Sequence, residues 1–140
     1  MAKGLHQAVV DLTIPFHDID AMEVVWHGHY VKYIEIARCA VLEQIGYNYP
    51  QMRASGYAWP VIDLRLRYVK PAVFGQVITV QADIVEWENR LKIDYLITDK
   101  ATGMKLVKGY SIQVAVNRQT GAMCFESPKV LFEKLGVAIA

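Results

Sequence analysis

Across residues 30–45 the apolar side chains recur at helical spacing, over more of the circumference than a surface helix can use. Tyr30, Tyr33, Ile34, Ala37, Ala40, Val41 and Ile45 fall on one side, with Lys32 and Glu43 opposite. Val31, Ile36 and Cys39 make much of the remaining arc apolar too, so the spacing predicts a helix that is enclosed and not merely laid on a surface. A curved sheet wrapped around it would do that. Gly46 supplies the stop. Cys39 has no His at i±3 or i±4 and reads as a buried structural thiol, not a nucleophile.

The rest of the chain alternates with the period of strands. Val10, Leu12, Ile14 and Phe16 alternate with Asp11, Thr13 and Pro15 as a half-buried first strand would. A turn-rich stretch follows the helix over 46–56. Ile62, Leu64, Leu66 and Tyr68 then alternate with Asp63, Arg65 and Arg67 in the cleanest strand of the chain. Further strands are expected over 76–87, 90–99 and 105–117, joined at Glu88-Asn89 and Thr102-Gly103 by turns short enough for antiparallel hairpins. Ser127 and Pro128 open a last helix over 130–135, closed by Gly136. Strands segregated from one main helix indicate an α+β layer architecture, and without a linker or repeat one domain is expected over 1–140.

Composition narrows the function. With 54% of 140 residues apolar, the interior is well supplied, and the excess suggests surface buried against another copy. A net charge of +1 offers no field for nucleic acid or an anionic membrane. Residues 1–10 lack the apolar run of a secretory signal, and no segment nears the ~18 apolar residues of a membrane span. Two cysteines without a CxxC argue against a disulfide-stapled module and a thiolate metal site, so a cytoplasmic protein is expected.

The densest titratable group is His17, Asp18, Asp20, Glu23, His27 and His29, in the connection between first strand and helix. A loop feeding a helix N-terminus sets side chains beside free N–H groups with partial positive charge, which favour a carboxylate and polarise a carbonyl. Asp-x-Asp before a helix also serves as a turn former or cap, and the histidines also fit an ordinary boundary role. A metal site from His17, Asp20, His27 and His29 is weakly supported, because His at i,i+2 does not share a helix face. No GxSxG, Walker or GxGxxG pattern occurs.

The run Phe16-His17-Asp18-Ile19-Asp20-Ala21-Met22-Glu23-Val24-Val25-Trp26-His27-Gly28-His29-Tyr30, continued by Val31-Lys32-Tyr33-Ile34-Glu35-Ile36-Ala37-Arg38, resembles the signature of hotdog-fold acyl-CoA thioesterases. The nearest subgroup is 4-hydroxybenzoyl-CoA thioesterase-like, including Tol-Pal-associated enzymes, with a signature of about DxDxxGxVxHxxYxxxxExAR. Arg67-Tyr68-Val69-Lys70-Pro71-Ala72 and the later strands extend the likeness over nearly the whole chain. Glu23 stands where the family usually has glycine, and His29 where asparagine is common.

The resemblance implies a curved antiparallel sheet of about five strands around one long central helix, assembled as homodimers or homotetramers with the site at the subunit interface. It implies hydrolysis of an acyl thioester of coenzyme A or acyl carrier protein, with no metal or organic cofactor. Asp20 would be the catalytic carboxylate, attacking the carbonyl or activating water. Backbone N–H groups at His27 and Gly28 would polarise the carbonyl, the His27 ring would orient Asp20 or water, and Tyr30 would shape the site. Trp26, Tyr57 and Trp59 are candidates for the acyl pocket, and Arg65, Arg67 and Lys70 for phosphates of the carrier. Glu35 is a possible accessory carboxylate, although Arg38 at i+3 offers it an ion pair. The alternatives are a hydratase or dehydratase on the same scaffold and a non-catalytic acyl-thioester binding protein.

Overall fold

The computed structural model describes residues 6–139; residues 1–5, part of the segment read for a secretory signal, and residue 140 lie outside it. In chain order the elements are β1 (His6–Thr13), a 3-10 turn (Phe16–Asp18), α1 (His29–Gln44), α2 (Tyr49–Ala54), β2 (Tyr57–Ala58), β3 (Val61–Tyr68), β4 (Val77–Glu86), β5 (Leu91–Asp99), β6 (Lys105–Gln113), β7 (Val116–Asn117) and α3 (Lys129–Leu135). Five strands form one antiparallel sheet in the order β1-β4-β5-β6-β3, and β2 pairs with β7 beside it.

One face of that sheet holds α1. Ile78, Val80, Ala82 and Ile84 of β4 and Ile93 and Ile97 of β5 are fully buried with Ile34, Ala37 and Val41 of the helix. Each Ile or Val side chain so enclosed contributes about 1.5–3 kcal/mol. A long helix cradled by five antiparallel strands is the α+β hotdog arrangement that the resemblance implied.

The differences from the sequence reading have local causes. β1 ends at Thr13 and not at Phe16, because Pro15 has no N–H for the ladder and the chain turns at Phe16, which is exposed. The stretch over 46–56 contains α2, started by a capping box in which Asn48 and Gln51 serve each other's backbone N–H. The strand expected over 105–117 divides into β6 and β7, as the chain leaves the large sheet to pair with Tyr57 and Ala58.

The enclosure of α1 is also narrower than expected. Ile36 and Cys39 are exposed, because the sheet covers one side of the helix and leaves the other facing a groove. β3 is exposed along its whole length except at Leu66, which is half-buried. It is an edge strand whose outer backbone groups meet no other strand among the described residues. Among the described residues no helix is long and apolar enough to cross a membrane.

Candidate active site

Between the 3-10 turn and α1 the chain folds into a miniature hairpin. Ile19 and Val25 form an antiparallel bridge; Asp20 N–H donates to the Val24 carbonyl at 2.9 Å, and Glu23 N–H to the Asp20 carbonyl at 3.0 Å. A tip of three residues demands a left-handed residue at its end. Glu23 takes that role with φ 65°, the one non-glycine positive φ among the described residues. Its Cβ crowds the carbonyl there, a strain of about 1–2 kcal/mol that glycine would not carry. Asp20 Oδ1 accepts the Met22 N–H at 2.8 Å, while its second carboxylate oxygen has no hydrogen-bond partner among the described residues. Asp20 therefore shapes the turn and still holds one oxygen free.

Asp18 anchors this hairpin to the helix. Its carboxylate is 1% exposed and accepts from Lys32 Nζ at 2.8 Å on each oxygen and from Tyr33 Oη at 2.6 Å. His29 Nε2 lies 3.8 Å from Asp18 Oδ1. Burial pushes this carboxyl's pKa up, but the bonds from Lys32 and Tyr33, the charge of Lys32 and the nearby His29 ring outweigh it and hold it below the ordinary value. Burial and the bond to Asp18 drive the Tyr33 phenol well above the usual tyrosine range. The main chain joins the anchor, since Trp26 N–H donates to the Asp18 carbonyl at 3.0 Å.

The hairpin delivers the chain to the start of α1. Gly28 is its N-cap, no side chain caps it, and its first turn carries no acidic residue. The open N–H groups and partial positive charge of the helix end are thus left unneutralised from within the helix. Trp26 folds its ring over Gly28 so closely that a Cβ there would lie 2.2 Å from the indole. A cavity of about 280 Å³ adjoins this point, lined among others by Asp20, His27, Tyr30, Tyr68 and Lys70. Tyr30 is fixed at its wall, its hydroxyl accepting the Ala72 N–H at 2.9 Å, and burial raises its pKa. Tyr68 donates to the His27 carbonyl at 3.1 Å.

A second and larger cavity, of about 900 Å³, runs along the open side of α1 against α2 and β2. Trp59, Tyr57, Glu35 and Cys39 line it, with Arg53 and Arg118. The structure separates Trp59 from Asp20 within one chain, placing each in a different cavity. Trp26 borders neither; it packs between the His27 and His29 rings, at centroid distances of 5.1 and 5.3 Å. Glu35 makes the ion pair with Arg38. Cys39 is not buried as expected but faces the groove, its Sγ accepting from Asn48 Nδ2 at 3.1 Å. Arg65 and Arg67 stand opposite Tyr110 and Lys108 on the sheet face away from α1, apart from both cavities, whereas Lys70 borders the Asp20 cavity. Among the described residues no three His, Cys, Asp or Glu side chains gather as a metal site. The sequence places Asp18 only in an Asp-x-Asp turn or cap and Tyr68 only in a strand, because their partners are distant in the chain.

Comparison with known proteins follows the same lines. Residues 14–135 match the family model of the Thioesterase-like superfamily. YneP of Bacillus subtilis (strain 168), provisionally named an acyl-CoA thioesterase, is 25% identical over 117 residues, covering 83% of this chain and 84% of its own. The Synechocystis protein sll0410, provisionally named an esterase, is 32% identical over 120 residues, covering 85% of this chain and 72% of its own. The solved structure of TT1821 from Thermus thermophilus superposes with a TM-score of 0.81 at 28% identity, covering 92% of this chain and 97% of its own. A 1,4-dihydroxy-2-naphthoyl-CoA thioesterase from Synechocystis shares the fold at 16% identity and a TM-score of 0.82, covering 93% of this chain and 96% of its own.

Proposed function

Because this chain belongs to the thioesterase-like superfamily, we propose that it is an acyl-CoA thioesterase, cleaving an acyl thioester to a free carboxylic acid and a thiol. The observation that carries this reading is that Asp20, with one carboxylate oxygen unengaged, borders the same cavity as His27 at the uncapped start of α1. A thioester carbonyl entering there meets an anionic oxygen on one side and open amides of His27 and Gly28 on the other. Asp20 attacks the carbonyl carbon, or takes the proton of a water that does. Negative charge collects on the carbonyl oxygen beside the amides, the C–S bond breaks, and the thiolate leaves to be protonated. In the first route a further water splits the acyl-aspartyl anhydride. One such backbone donor is worth on the order of 10²-fold in rate.

The functional unit in this reading is a homodimer, as β3 supports. An antiparallel edge strand that pairs with its own copy about its midpoint sets Val61 of one chain opposite the partner's Tyr68. Val61 borders the large groove and Tyr68 the Asp20 cavity, so this pairing joins the groove of each protomer to the carboxylate of the other. Trp59 and Tyr57 then wall the acyl pocket for the partner's Asp20, while Lys70 meets the phosphates of coenzyme A or of a carrier-protein arm. The reaction takes place in the cytoplasm, where Cys39 and Cys124 remain free thiols.

The test is thiol release measured over short, long and aromatic acyl-CoAs and an acyl carrier protein thioester. Hydrolysis of at least one class is expected. Binding with the thioester left intact, or dehydration of a 3-hydroxyacyl thioester without thiol release, would overturn the reading.

A further inference from the structure

Tyr68 lies 41 residues beyond His27 in sequence and yet donates its hydroxyl hydrogen to the His27 carbonyl at 3.1 Å. That carbonyl has no claim on it from the helix. Gly28 is the N-cap, and the first intrahelical bond is accepted by the carbonyl of the N-cap itself, one residue later. The His27 N–H likewise donates to no backbone acceptor among the described residues. The His27 ring is flanked by Trp26 at 5.1 Å and by Tyr68 at 6.2 Å, in an edge arrangement of 72°. Of the three polar parts of His27, the carbonyl is held, the ring is flanked, and the amide is open.

We infer that Tyr68 is a positioning residue that aims the open amide of His27 by gripping the carbonyl of the same residue. The inference rests on the thioesterase reading for its kinetic consequence, but not for its geometry. The clamped carbonyl shares its planar peptide unit with the Gly28 N–H and is one residue's φ and ψ from the His27 N–H, so a hold from β3 fixes the first plane and limits the rotation of the second. β3 holds the clamp in register, since Tyr68 pairs with Val107 in the β3–β6 ladder. The Tyr68 ring is braced as well, at 5.5 Å from the buried Tyr30 ring. A donor aimed in advance at a developing oxyanion stabilises the transition state more than the bound substrate, so its loss falls on kcat and not on KM.

The experiment uses Tyr68→Phe, which keeps the ring and deletes only the hydroxyl, with Tyr110→Phe on the opposite face of the sheet as the control. The expected loss in kcat is about five- to tenfold, the rate equivalent of one hydrogen bond, with KM changed by less than about twofold. In 15N-resolved spectra of the free protein the His27 amide resonance shifts and its hydrogen exchange quickens in Tyr68→Phe and not in Tyr110→Phe. An unmoved His27 amide, an unchanged kcat, or a loss confined to KM overturns the inference. If the wild type releases thiol from no substrate, the functional reading fails first, and the amide measurement alone then decides whether Tyr68 positions His27.

Discussion

Lys32 Nζ stands 2.8 Å from both carboxylate oxygens of Asp18, a buried acid held by a lysine one turn into α1 and by the neighbouring Tyr33 hydroxyl. This contact ties the hairpin that carries Asp20 to the helix whose open end faces it. The Asp18 carboxyl has a pKa below its ordinary 3.8 in the folded protein. The folded state binds fewer protons than the unfolded chain, so the contribution is complete above the ordinary value and is lost as pH falls through the lowered one. Asp18→Asn should cost about 2 kcal/mol at neutral pH, and the gap to wild type should narrow as pH drops below about 4. Urea midpoints between neutral and acidic pH measure it; a constant gap over that span would show that the charge of Asp18 is not what stabilises the fold.

Glu23 provides a gain where most substitutions give a loss. Its left-handed backbone costs about 1–2 kcal/mol, and glycine returns about half of that through its own greater freedom in the unfolded chain. Glu23→Gly should therefore stabilise the protein by about 0.5–1 kcal/mol, read as a higher denaturant midpoint at unchanged slope. A lower midpoint would mean that the Glu23 side chain contributes more than its backbone loses.

Much of this architecture was legible because period alone carries it. The alternation in β4 and β5 and the helical spacing of α1 each report one buried face, and burial on one face is what packing against a sheet requires. α2 left a local sign in the Asn48 and Gln51 capping box, within a stretch that otherwise read as turns. Asp18 and Tyr68 left no sign of the contacts they make. Their partners lie 14, 15 and 41 residues away, and only the closing of the hairpin and of the sheet brings them within reach. Ile36, Cys39 and the apolar side of β3 were read as buried, and one chain leaves them exposed. The proposed dimer would cover the apolar side of β3 and so reconcile the two.

Leu64 tests that dimer. It lies mid-strand on β3, exposed in a single chain and on the same side as Leu66 and Tyr68. Leu64→Glu should convert a dimer to a monomer in sedimentation while circular dichroism stays unchanged, and kcat/KM should fall by about a hundredfold as the groove of one chain is parted from the Asp20 cavity of the other. A monomer with full activity would place the whole site within one chain.

In the proposed reaction the free oxygen of Asp20 does the chemistry, and Asp20→Asn removes its charge with little disturbance of structure. Asparagine keeps an oxygen to accept the Met22 N–H, so the turn and the melting temperature should be preserved while the reactive charge is gone. Thiol release from the best acyl-CoA substrate, compared between wild type and Asp20→Asn at equal folded concentration, should fall by about a thousandfold or more. A variant that hydrolyses the thioester at the wild-type rate would show that Asp20 does not carry the reaction.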